Sequence, residues 1–268
     1  MIDITNLPVI KSLDLEDIFL LDSIDNVYRE KHFDVYKYDG VGVPRVSHIL
    51  KECIGKEYLM LWAAKLGQRQ MIIERNKATT IGSRVHEMIE HYLLTGNDLD
   101  LSYKTSPVYM NEINRAYENF KDWIIYIESL GYKIEEVIAT ETPVICPWYG
   151  GTIDCIVKIN GKIYIIDFKT SKQISYEYIT QTCSYMWAVN NGYAPHLPYI
   201  DGVGIIRIDK EKRKFEDLFL NNHIPYQADI INHFYNGFGS LLSCFYSNIN
   251  MKNLFANYKK EYDIKETI

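Results

Sequence analysis

The stretch GTIDCIVKINGKIYIIDFKT, residues 151–170, constrains the fold more than any other part of the chain. Two runs rich in Ile, Val and Tyr are joined by Asn160-Gly161. That dipeptide suits a two-residue hairpin, because both central residues of a type I′ turn need positive φ. Such a turn fixes the register of its strands. Ile159 then opposes Lys162, and counting back from the turn sets Asp154 opposite Asp167. In the second strand, Ile163, Ile165, Asp167 and Lys169 share one side, while Tyr164, Ile166 and Phe168 share the other. Both sides are apolar as far as Asp167, the pattern of a central strand covered on both faces. Two carboxylates opposed across a strand pair destabilise it unless one is protonated or a cation lies between them. Converging hard oxygen ligands suit Mg²⁺ or Mn²⁺. The plainer alternative is a surface ion pair between Asp167 and Lys169 on a strand that emerges into solvent.

The remaining chain reads as helices before this hairpin and a mixture after it. HFDVYKYDG reads as a short strand before the punctuation DGVGVP. Residues 47–96 read as two or three helices, with Ser47 as N-cap and Gly96 as stop. Residues 106–131 form a further helix with Ile113, Ala116, Phe120, Trp123, Ile127 and Leu130 at three- and four-residue spacings. EEVIATETPVI and VGIIRID read as strands, and SYEYITQTCSYMWAVNNG as a helix between the hairpin and the latter. A last helix, QADIINHFYNGFGSLLSCFYSNI, is interrupted by two glycines. The expected class is α/β (α+β): a small mixed sheet flanked by helices. Residues 1–135 form a mostly helical N-terminal lobe and residues 136–268 hold the core sheet and C-terminal helices, packed as one unit.

With 268 residues, 47% of them hydrophobic, the chain can bury a substantial core. Five scattered cysteines without a CxxC pair point to neither a disulfide framework nor a zinc knuckle. The opening MIDITNLPVIKSLDLED carries acids and lacks the basic start and apolar run of a secretory signal, and no stretch is long enough to cross a bilayer. The expected location is the cytoplasm, or the host cytoplasm for a viral protein. A net charge of −6 removes the simplest argument for nucleic-acid binding, leaving a local basic groove or bound metal ions to supply positive charge.

GGTIDCIVKINGKIYIIDFKTSK resembles the core of the PD-(D/E)XK nuclease superfamily, in which an Asp precedes a hairpin whose second strand ends in Asp/Glu, any residue, Lys. Further motifs resemble its RecB-like branch, which includes phage exonucleases and mitochondrial genome maintenance exonucleases. These are GSRVHEMIEHYL for a G-x-x-x-H helix, ATETPV for a strand with a glutamate, and QTCSYMWAV for a Gln-x-x-x-Tyr helix. VPRVSHIL followed by LMLWAAKLG is similar to the N-terminal stretch of the phage and mitochondrial-like members. The resemblance spans about residues 43 to 207, and the order of its motifs is more specific than any one of them.

It implies a restriction-endonuclease-like core and a Mg²⁺- or Mn²⁺-dependent deoxyribonuclease. Asp154, Asp167 and Lys169 would be catalytic. His86, Asp154, Asp167 and the backbone carbonyl of Phe168 would hold metal, with Glu141 and Glu90 as further candidates. Gln181, Tyr185, Arg45 and Ser47 would contact DNA. Each has a plainer reading: a satisfied helix histidine for His86, a solvated acid for Glu90, a strand-edge acid for Glu141, and core packing for Tyr185. The branch implies exonuclease action on free ends, single strands foremost. Competing classes are a restriction-type endonuclease on the same core and a catalytically silent binding module. Some relatives carry an iron-sulfur cluster on one early and three late cysteines; only Cys244 lies near this C-terminus, so no cluster is expected.

Overall fold

The structure, a computed structural model, describes residues 36–55 and 67–261. The first elements are β1 (Tyr36–Tyr38), β2 (Val41–Val43), α1 (Val46–Cys53), α2 (Gln68–Thr95) and α3 (Pro107–Ser129). After them come β3 (Ile134–Ile145), β4 (Gly150–Ile159), β5 (Lys162–Lys169), α4 (Tyr176–Ala188), β6 (Gly202–Ile208), β7 (Phe215–Asn221) and α5 (Pro225–Glu261). The helical reading of residues 56–66 lies outside the described residues.

Strands β3 to β7 form one sheet in sequence order, antiparallel except for the β5–β6 pair. The parallel pair requires a crossover, and α4 supplies it. The turn at Asn160 and Gly161 has positive φ at both residues, and Ile159 pairs with Lys162 and Cys155 with Ile166, the register the sequence predicts. Ile166 and Phe168 pack with Val85, Ile89, Phe120 and Trp123 of α2 and α3. Ile165, with Val203 and Ile205, packs instead with Ile179 and Met186 of α4 and Phe238 and Leu242 of α5. The fold is therefore mixed α/β: β5 is central and helices cover both faces of its sheet.

Local signals explain most boundaries. Pro107 opens α3 at a position where its missing N–H costs nothing, and Gly96 ends α2 in the left-handed region. Four details differ from the sequence reading. Helix α1 starts at Val46, because the Arg45 carbonyl accepts from His48 and Ile49 N–H; Arg45, not Ser47, is its N-cap. Leu130 is 55% exposed, since α3 ends one residue before it and the stripe loses its helical direction there. Helix α5 continues through Gly237 and Gly239, because Phe238 and Leu242 anchor that turn in the core and packing outweighs the propensity cost of about 1 kcal/mol per glycine. Strand β7 was not foreseen: FEDLFLN sits on the sheet edge and lacks a strict alternation of buried positions.

Candidate metal centre

The polar ends of β4 and β5 meet helix α2 on one side and α4 on the other. Hydrogen bonding between β4 and β5 runs back from the turn to Cys155 and Ile166. At the next position the Asp154 side chain takes over: its Oδ2 accepts the Phe168 N–H at 3.0 Å. The alternation of β4 breaks there as well. Ile153 and Ile156 both pack into the α4–α5 core, while Cys155 and Val157 pack beneath α2 and α3. Asp154 thus lies where the strand turns its faces.

Helix α2 brings His86 to the same place. Its Nε2 lies 2.9 Å from the Phe168 carbonyl and its Nδ1 3.5 Å from Asp154 Oδ2. Phe168 is thereby engaged through both main-chain polar groups, while its ring packs edge-on against Phe120 and Trp123 of α3. Glu141 comes from β3. It lies between Thr140, which pairs with Cys155, and Thr142, which pairs with Ile153, and has φ +42°. The other described non-glycine residues with positive φ, Asp39 and Asn160, occupy hairpin turns. Glu141 adopts this disfavoured conformation inside a strand, where a bulky residue in the left-handed region costs about 1 kcal/mol or more.

One ligand atom each from His86, Glu141 and Asp154 lie within 4.8 Å of one another. They line a cavity of about 10 Å³ with Ile89, Glu90, Leu93 and Phe168, room for about one water-sized occupant. Glu141 is solvent-exposed, yet partial desolvation and the neighbouring Asp154 charge push its carboxyl above its ordinary value. Glu90 is half-buried and accepts from Thr140 Oγ1 at 2.8 Å, so it is not the solvated acid of the plainer sequence reading.

Asp167 stands beside this trio rather than within it. Its Oδ1 holds the Lys169 ammonium at 2.5 Å, while its Oδ2 is buried without a hydrogen-bond partner. Burial pushes its carboxyl from 3.8 to about 6; Lys169 opposes that shift, and Asp154 adds to it. Burial by itself would lower the Lys169 pKa, but Asp167 and Asp154 outweigh it and the group ends above its ordinary value. The Tyr178 ring of α4, which sequence reasoning passed over, lies 5.1 Å from the Lys169 ammonium. Next to Lys169 in register, Arg207 is fully buried and matched by Glu216 and Asp209. It too was missed, although an arginine amid VGIIRID is the visible signal of a buried ion pair.

The other predicted residues sort by depth. Gln181 donates to the Tyr185 hydroxyl at 3.1 Å across one turn of α4, and Tyr185 is buried against Gly151, where any side chain would overlap it. Arg45 is exposed with its guanidinium 5.8 Å from the Tyr36 ring, and Ser47 is exposed on α1.

The donor set fits a hard divalent cation. One imidazole, two carboxylates and an adjacent carbonyl converge on a small cavity, and a buried carboxylate oxygen nearby lacks any partner.

Comparison with known proteins adds little. No family model matches the chain, and no curated protein matches it. Solved structures do match. One, titled "Crystal structure of SSO0001", is 14% identical, with a TM-score of 0.26 over 57% of this chain and 74% of that one. So low a score bears on neither fold nor function. Among the described residues, no helix is long and apolar enough to cross a membrane.

Proposed function

We propose that the protein is a metal-dependent deoxyribonuclease of the PD-(D/E)XK type, RecB-like in its motif order, that hydrolyses DNA from free ends and favours single strands. The observation that carries this reading is the cost accepted at one end of the strand pair: a glutamate in left-handed backbone among crowded acids, and next to them a lysine-bound aspartate with an unpartnered buried oxygen. Strain and an unpartnered buried oxygen of this kind persist where a ligand offsets them.

His86, Glu141, Asp154 and the Phe168 carbonyl would hold Mg²⁺ or Mn²⁺, with Asp167 as a further candidate ligand. When bound, the ion supplies charge neutralisation of the phosphodiester and acidifies the attacking water. The protein's own groups do the rest. Asp167 orients the Lys169 ammonium, and that ammonium, kept charged by its carboxylate neighbours, positions the water and offsets the negative charge that develops on the phosphate. A lysine held above its ordinary pKa is a poor general base. Gln181 and Arg45 would contact the DNA strand, and Tyr185 would set the position of Gln181 from beneath.

The test is incubation with end-labelled linear and closed circular single-stranded DNA, in Mg²⁺ or in EDTA. Mg²⁺-dependent loss of the linear substrate alone is expected. Cleavage of circles would make the protein an endonuclease, and retention of both without cleavage would leave a binding module.

A further inference from the structure

Of the five cysteines, Cys146, Cys155 and Cys183 are buried in the core, whereas Cys244 is exposed on α5 and Cys53 is half-buried at the end of α1. Cys53 Sγ donates to the Leu241 carbonyl at 3.4 Å. Leu241 lies one turn before Cys244 on α5, and helical side chains lean toward the N-terminal turn, so the Cys244 side chain leans over the turn that Cys53 contacts. Helices α1 and α5 pack together there, and Cys244 is a charge neighbour of the Cys53 thiol. Two thiols distant in sequence therefore meet where one of them, Cys244, is accessible, with the remaining thiols shielded.

We propose that Cys53 and Cys244 form a redox-sensitive dithiol that closes to a disulfide when it meets a small-molecule disulfide, stapling α1 to α5. The exposed Cys244 thiolate attacks one sulfur of the small disulfide, forming a mixed disulfide and expelling one small thiolate, which takes up the proton that Cys244 gave to solvent. Cys53 then loses its proton to solvent and attacks the Cys244 sulfur, expelling the second small thiol. Two protein thiols are oxidised and one small disulfide is reduced to two thiols. Cys53 is the resolving partner, since burial pushes its thiol up to about 11 and leaves little thiolate for a first attack. The staple would join the helix whose first residue follows Arg45, itself bridged to Gly150 of β4, to the helix that backs the sheet. This proposal is independent of the hydrolytic reading.

The test is titration of the full-length protein with oxidised glutathione, followed by alkylation of free thiols and mass spectrometry. Expected are loss of about 2 Da, protection of two cysteines, a cross-linked peptide pair containing residues 53 and 244, and a higher melting temperature reversed by dithiothreitol. Cys53→Ser should trap glutathione on Cys244, and Cys244→Ser should leave Cys53 alkylatable. Stable glutathione on Cys244 in the unmutated protein, or no change at either residue, would overturn the proposal.

Discussion

The two ends of the β4–β5 pair both gather polar side chains and solve opposite problems. At the turn, Asn160 and Glu135 have main-chain partners: Asn160 accepts from Lys133 N–H and donates to the Gly131 carbonyl, and Glu135 accepts from Gly161 N–H. At the other end, Asp154, Asp167, Glu141 and Glu90 crowd around one histidine and one lysine, and Asp167 keeps an oxygen without a partner. The turn end is closed for stability. The open end carries costs that, on the proposed reading, a bound ion would offset.

Substitutions at the two ends should then separate activity from stability. The largest effect is expected from Asp154→Asn, which keeps an acceptor for Phe168 N–H but removes charge: Mg²⁺-dependent cleavage should fall by about a hundredfold or more while the circular dichroism spectrum stays native. Asn160→Ala should do the reverse. Loss of two hydrogen bonds, with alanine forced to φ +46°, should cost about 2 kcal/mol in urea melts, with kcat unchanged.

Glu141→Gly sharpens the contrast at a single residue. Relief of the left-handed backbone should raise stability in EDTA by about 1 kcal/mol while cleavage drops roughly tenfold. A smaller effect concerns pH. A carboxyl raised by folding adds stability that is complete below its unfolded value, 3.8 for Asp167, and is lost as pH rises through about 6. In EDTA, the melting temperature of Asp167→Asn should therefore gain on that of the unmutated protein between pH 4 and 6, and saturating Mg²⁺ should close the gap. Parallel curves would show that Asp167 carries no such burden.

How much of this was legible follows from what fixes each feature. The register of β4 and β5 depends on two residues at the turn and on alternation, so it could be counted from the sequence. Counting could not single out the closest ligand trio, although the motif resemblance names His86 and Glu141 among its metal candidates. Alternation places Asp154 with Asp167, but the break at Ile153 and the left-handed φ of Glu141 bring Glu141 and His86 to Asp154 instead. Both are tertiary effects, imposed by β3 and α2; the ATETPV motif marks Glu141, but nothing local marks its left-handed backbone. Tyr178 was invisible for a similar reason: its approach to Lys169 depends on how α4 crosses the sheet. Helix α5 shows the converse, where two glycines gave a strong local signal that core packing overrode.

Phe168 links the oily and the charged halves of the molecule. Its ring is set by Phe120 and Trp123, and its main chain sets the imidazole and the first carboxylate. The spacing of His86 and Asp154 is thus calibrated from below, by a wedge of aromatic rings outside the proposed centre. Shaving that wedge, without altering a single charge, would detune the centre above it.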